Sequence, residues 1–126
     1  MFVYGTLKAG FGNHRLLKDS DLVGRGVIPG RLYVCGLPYY KNEGTGDVHG
    51  ELYRVTEETL RRLDALEGHR EHNPETSFYK RIQLSDCFTE YPDPGSDIEH
   101  TLLDDFYVYE YNGTVPAEFI KESGVF

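Results

Sequence analysis

A carboxylate at the end of an amphipathic helix is the position in this sequence that most directly suggests proton chemistry. At about 100° per residue, Leu60, Leu63 and Glu67 fall on one stripe, with Glu67 projected between the two leucines. That stripe is the face that must bury. Burial disfavours the charged form of a carboxyl, so the spacing predicts a pKa raised toward the range where one group both accepts and returns a proton. A shift of about two units corresponds to roughly 2.7 kcal/mol of differential stabilisation. The competing reading is structural: in the last turn Glu67 swings to solvent, or pairs with Arg70 or Arg81.

A second stretch, Tyr4-Gly5-Thr6-Leu7, stands where a strand gives way to a glycine turn. Successive backbone NH groups in such a turn can face an anion, so a substrate carboxylate is one occupant and an ordinary strand-to-loop turn is the alternative. Other constellations are weaker. His69 and His72 lie near Glu67 and Glu71, but a helix that stops at Gly68 gives them no common face for a metal, and no metal site is expected. Cys35 and Cys87 lack the spacing of a redox or metal pair, and no local signature makes either a hydrolase nucleophile. Gly44-Thr45-Gly46 has neither the lysine nor the spacing of a phosphate loop.

The elements that must position these groups follow from local signals. The helix is predicted over Glu57–Glu67, with Thr56 as N-cap, Glu57 and Glu58 at the positive end of the dipole, and Gly68 as the stop. Strands are predicted at residues 2–4, at 48–55, at 78–84 with Tyr79, Arg81 and Gln83 on one face, and at 106–111. Residues 23–38 read as strand, turn, strand, with Pro29-Gly30 as the punctuation. Asn13 is the expected cap of a short helix over residues 14–17. Residues 69–77 form a charged, irregular linker, and residues 90–105, with six acids, two prolines and a glycine, read as a mobile surface loop. Residues 116–123 are expected to be a short helix or an ordered tail. Several short strands around one helix predict an α+β domain whose sheet curls into a small barrel.

Composition bounds the class. A chain of 126 residues closes one core, so residues 1–126 are read as a single domain. Ten Tyr and seven Phe, against one Met and no Trp, mean a core of flat rings whose hydroxyls need partners. With 21 acidic against 13 basic residues the formal charge is -8, and no basic run exceeds two residues. Nucleic acid and anionic membrane are therefore excluded as expected partners, since both need a clustered positive footprint. Two cysteines and an apolar start without a charged leader point to reduced thiols in the cytoplasm.

Six segments in order and spacing, Val3-Tyr4-Gly5-Thr6-Leu7, Gly30-Arg31-Leu32-Tyr33 with Gly36-Leu37-Pro38, Gly50-Glu51-Leu52-Tyr53, Leu63-Asp64-Ala65-Leu66-Glu67-Gly68, Tyr79-Lys80-Arg81 and Val108-Tyr109, together resemble the gamma-glutamylcyclotransferase-like family. The opening, continued through Lys8 and Asn13-His14-Arg15, is most similar to its gamma-glutamylamine cyclotransferase branch. The resemblance runs to Tyr111 and leaves residues 86–105 and the tail unmatched. It implies an α+β fold, a small mixed β-barrel with flanking helices, and a cavity for a small-molecule gamma-glutamyl substrate. Tyr4, Gly5, Thr6 and Leu7 would hold the glutamyl head group, Glu67 would be the catalytic acid/base, and Tyr79 and Tyr109 would line the pocket. Arg81 matches the family's tyrosine-x-arginine step, as a site residue or as a structural ion pair. The implied reaction releases 5-oxoproline and a free amine or amino acid, by attack of the substrate's own alpha-amine and with no cofactor. The alternative on the same fold is a catalytically idle module that binds a small acidic ligand or a protein. In a further variant, the acidic loop covers the pocket and redirects specificity toward a bulky or peptide-linked amine. The leaving amine and the oligomeric state have no signature in the sequence.

Overall fold

In chain order, β1 (Phe2–Val3), β2 (Asp21–Pro29), β3 (Arg31–Cys35), β4 (Leu37–Lys41) and β5 (Asp47–Arg54) precede the helix α1 (Glu57–Glu67). β6 (Tyr79–Ser85), β7 (Phe88–Glu90), β8 (His100–Leu102) and β9 (Asp105–Tyr111) follow it. The computed structural model describes residues 1–91, 100–102 and 105–126. Seven strands form one mixed sheet in the order β6-β9-β1-β5-β2-β7-β8, and β3 with β4 makes a separate hairpin. The two-residue β1 lies inside the sheet, antiparallel to β5 (Phe2 opposite Leu52, Val3 opposite Glu51) and parallel to β9 (Phe2 opposite Val108). A register shift between Leu22 and Gly24 interrupts the long β2–β5 ladder, and an irregularity of this kind adds local twist, which curls the sheet.

Side-chain alternation gives this sheet two buried faces. Phe2, Tyr4, Val48, Leu52, Phe106 and Val108 point into one cluster, with Leu32 and Tyr40 of the hairpin as its lid. Their sequence neighbours Val3, Tyr53 and Tyr109 turn the other way, into a second cluster with Leu63 of α1 and Leu17. The helix therefore covers one face and the hairpin the other, which is the α+β arrangement expected of the sequence, with a curled sheet whose edges are β6 and β8.

The helix has the predicted limits. Thr56 Oγ1 accepts from the Thr59 backbone N–H at 3.1 Å, and Gly68 ends the helix at φ 72°, in the left-handed region that favours glycine. Three expectations differ. The strand, turn, strand expected over residues 23–38 is three strands reaching Lys41, because the chain turns again at Gly36 and Leu37–Lys41 pairs back on Arg31–Cys35, at whose free edge the missing N–H of Pro38 is tolerated. Residues 12–17 form a 3-10 turn that Phe11 precedes with no side-chain cap; the amide of Asn13 instead donates to Thr6 Oγ1 at 2.8 Å. Of the expected loop at 90–105, His100–Leu102 pairs with Phe88–Glu90 as a strand, while residues 92–99 and 103–104 lie outside the described residues.

Candidate active site

A cavity of about 210 Å³ opens where β1 runs into the glycine turn. Tyr4, Gly5, Thr6 and Leu7 follow directly from β1; Glu67 comes from the last turn of α1; Tyr79 begins β6 and Tyr109 lies on β9, and all seven line the cavity. The structure thus brings every predicted site residue to one space. The close approach of turn and hairpin depends on residue 5: a Cβ there would meet Pro38 Cγ at 2.5 Å. Only glycine lets Pro38 pack against the turn.

Burial pushes the Glu67 carboxyl from 4.5 up to about 7. The two arginines that the structural reading offered it are engaged elsewhere. Arg81 Nη1 lies 2.5 Å from Asp64 Oδ2, and Arg70 donates to Thr76 Oγ1 at 3.5 Å. Among the described residues no ion pair includes Glu67. A carboxyl that loses water without gaining a cation holds its proton, which accounts for the upward shift.

Three tyrosines surround this carboxyl with their hydroxyl protons already committed. Tyr4 donates to the Tyr109 carbonyl at 2.7 Å, Tyr79 to the Pro38 carbonyl at 2.7 Å and Tyr109 to Asp64 Oδ1 at 2.7 Å. Each phenol is raised above its ordinary value, chiefly by burial, and the Glu67 charge adds to the rise in all three. The rings therefore offer faces rather than proton donors to a bound molecule. Free donors remain at the turn: the N–H groups of Gly5, Thr6 and Leu7 make no hydrogen bond to a described residue, and the Thr6 hydroxyl, which accepts from Asn13, donates to none. The Gly5 carbonyl, by contrast, is occupied by Lys8 N–H at 3.0 Å.

Asp64 stands one helical turn before Glu67 and holds two partners at once, Arg81 on β6 and Tyr109 on β9. Arg81 is thus a structural ion pair, with its guanidinium also 4.8 Å from the Tyr107 ring centroid. Asp64 and the cavity residues Asn13, Leu37, Pro38, Leu66 and Phe78 go beyond the site expected of the sequence. Asp64 lies in the Leu63-Asp64-Ala65-Leu66-Glu67-Gly68 segment one turn from Glu67, and that placement is its signal. The others depend on how hairpin, helix end and β6 converge, which no local pattern encodes.

Comparison with known proteins adds to this geometry. The family model described as gamma-glutamyl cyclotransferase, AIG2-like, matches residues 1–125. A Methanocaldococcus jannaschii protein with a provisional gamma-glutamylcyclotransferase name is 39% identical over 106 residues, which cover 81% of this chain and 80% of its own length. The gamma-L-glutamyl-butirosin B gamma-glutamyl cyclotransferase of Niallia circulans is 38% identical over 88 residues, covering 66% of this chain and 54% of that enzyme. Among solved structures, an uncharacterised protein from Pyrococcus horikoshii superposes with a TM-score of 0.71 at 27% identity, over 99% of this chain and 86% of that one.

Proposed function

We infer the reaction from one premise: the chain belongs to the AIG2-like gamma-glutamyl cyclotransferase family. The observation that carries the reading is a desolvated carboxyl, Glu67, lining the same cavity as a turn with three free backbone donors. In this reading the protein cyclises gamma-glutamyl compounds. Tyr4, Gly5, Thr6 and Leu7 grip the head group through the turn, with the substrate's alpha-carboxylate on the free N–H groups. Tyr79 and Tyr109 supply flat walls that hold the glutamyl chain folded. Folding brings the alpha-amine onto the side-chain carbonyl carbon, and such proximity removes several kcal/mol from the barrier of a ring closure.

The proton inventory closes within the site. Glu67, poised near neutrality, takes a proton from the substrate ammonium and frees the nitrogen lone pair. The new C–N bond forms a five-membered ring, and the carbonyl oxygen gains charge that a backbone N–H near Gly5 stabilises. Glu67 returns its proton to the departing nitrogen, collapse breaks the original amide C–N bond, and the freed carboxylate then passes on the second proton from the new ring nitrogen. Of the three ammonium hydrogens the lactam keeps one, and the other two leave with the amine as its ammonium form. The products are 5-oxoproline and a free amine or amino acid, with no further reactant in the balance. Cys35 and Cys87 are both free thiols, which fits a reducing compartment, and we assign the reaction to the cytoplasm. No helix among the described residues is long and apolar enough to cross a membrane.

The test is 5-oxoproline release from a panel of gamma-glutamyl compounds by the wild type and by Glu67→Gln. Release that depends on Glu67 supports the reading. A wild type inert toward every compound, or a fully active Glu67→Gln, overturns it. Thermal stabilisation by those compounds without turnover indicates the idle binding module instead.

A further inference from the structure

A second buried carboxylate, Glu51, has no part in the proton transfers. It lies in β5 with 8% of its surface exposed, and it is not among the residues lining the cavity. Its backbone stands opposite Val3, the last residue of β1. Its side chain reaches past that strand end to the far side of the glycine turn, where Oε1 accepts the Ala9 N–H at 2.8 Å and the Tyr53 hydroxyl at 3.0 Å. Oε2 faces Arg25 Nε at 3.4 Å, and the arginine side chain is 57% exposed, so that ion pair contributes little. One residue thus closes the loop 4–8 at both ends, the entry through strand pairing and the exit through a carboxylate. The hydrogen bonds within the turn are local: Lys8 N–H donates to the Gly5 carbonyl at 3.0 Å, Asn13 donates to Thr6 Oγ1 at 2.8 Å, and His14 Nδ1 lies 2.9 Å from the Leu7 carbonyl. Lys8 Nζ reaches only the tail, at the Phe126 carbonyl, 3.1 Å away. Among the described residues, Ala9 to Glu51 is the one hydrogen bond that ties the backbone of residues 5–9 to the sheet. An apolar side chain at position 51 would fill the same place without the cost of burying a charge. What the carboxylate supplies is an acceptor for the two donors it collects.

We propose that Glu51 is a positioning residue: by holding Ala9 against β5 it fixes the path of the turn, so that the free N–H groups of Thr6 and Leu7 converge on one carboxylate of the substrate. This rests on the cyclotransferase reading and adds to it what preorganises the head-group site, since a turn already held has less freedom to lose on binding. Gly5 is set separately, by the packing of Pro38, and Glu67 by α1. Loss of the tether therefore acts on the grip of the head group more than on the chemistry. The turn holds the alpha-carboxylate alike in ground state and transition state, and removing such uniform binding raises KM with little change in kcat. A merely less stable fold lowers the active fraction, and with it kcat, and leaves KM where it was.

Glu51→Leu removes the acceptor, whereas Glu51→Gln keeps an Oε1 in its place. With each gamma-glutamyl compound that the wild type turns over, Glu51→Leu should raise KM at least about tenfold and change kcat less than about threefold, and Glu51→Gln should stay within about threefold of the wild-type KM. The dissociation constant of 5-oxoproline, read by NMR titration, should follow the same order. Glu51→Asp, which keeps the charge on a side chain one methylene shorter, should behave as Glu51→Leu does, and it decides the matter if Glu51→Leu does not fold. In the wild type itself the Ala9 amide should exchange with deuterium at least about tenfold more slowly than the free amide of Thr6. A folded Glu51→Leu or Glu51→Asp with the wild-type KM, a Glu51→Gln as impaired as Glu51→Leu, or an Ala9 amide that exchanges as fast as that of Thr6 overturns the proposal and leaves the cyclisation standing. A wild type that binds 5-oxoproline in this Glu51-dependent order but releases none from any compound supports the proposal and overturns the cyclisation. A wild type that neither releases 5-oxoproline nor binds it overturns both.

Discussion

Glu67 carries its charge in a place that opposes it, and this has opposite consequences for stability and for rate. Its carboxyl is raised from 4.5 to about 7 by burial. Below pH 4.5 the group is protonated in folded and unfolded chains alike and contributes nothing. As pH rises from there, the folded state holds the proton more tightly than the unfolded one, so stability falls. The penalty is complete above pH 7, at roughly 3 kcal/mol. Glu67→Gln should therefore resist urea better than the wild type at pH 8, by up to about 3 kcal/mol, and match it at pH 4. Its release of 5-oxoproline should meanwhile fall by about 10²- to 10⁴-fold. Equal stability of the two proteins at pH 8 would mean that the carboxylate is well solvated. The wild-type kcat/KM should rise on its acid limb with a midpoint near 7, and a limb near 4.5 would contradict the desolvation. Glu67 was legible because three helical positions, Leu60, Leu63 and Glu67, fix its direction. The commitment of the Tyr4, Tyr79 and Tyr109 hydroxyls was not, since their acceptors lie on other elements.

What aims Glu67 is the tether one turn earlier in α1. Asp64 and Arg81 have side chains only 13% exposed each, and Tyr109 adds a hydrogen bond to the same carboxylate. Removing one partner leaves the other charge largely buried, so Asp64→Ala and Arg81→Ala should each cost about 3 kcal/mol. The double variant should cost less than the sum of the two, which urea titration of all four proteins would show. Additive losses would mean that the pair is not coupled. In both single variants 5-oxoproline release should drop as well, because α1 is no longer held to β6 and β9 beside the cavity. The helix itself was readable to the residue: Thr56, the acidic first turn and Gly68 are local signals that act without tertiary partners. β4, β7 and β8 were not: the strand, turn, strand reading of residues 23–38 stopped at Pro38, and the three-residue β7 and β8 exist through pairing with β2 and with each other. Asn13 looked like a cap because its type suits one, yet Thr6 wins its amide across the turn.

At the scale of the whole molecule, the last long strand, β9, sits between β6 and the first strand, β1. Sheet and cavity are thus complete only when both ends of the chain are in place, and far-ultraviolet dichroism and tyrosine fluorescence should report coincident urea transitions. An earlier loss of tyrosine signal would show the cavity opening before the sheet. The α+β class could be read from turn spacing and one strong helix, but not the strand order, since a two-residue β1 leaves almost no pattern of its own. The hairpin of β3 and β4 stands apart from that sheet and meets the turn at Gly5, where Pro38 packs. Gly5→Ala should push the hairpin outward and lower both melting temperature and turnover, while unchanged values would show that Pro38 yields freely. Leu37 and Pro38 belong to a hairpin with its own backbone pairing, whereas Glu67 is carried by α1. Exchanging the exposed residues 35–37, with Leu32, Pro38 and Tyr40 kept, is therefore a way to alter what the cavity admits while leaving Glu67 on its own scaffold.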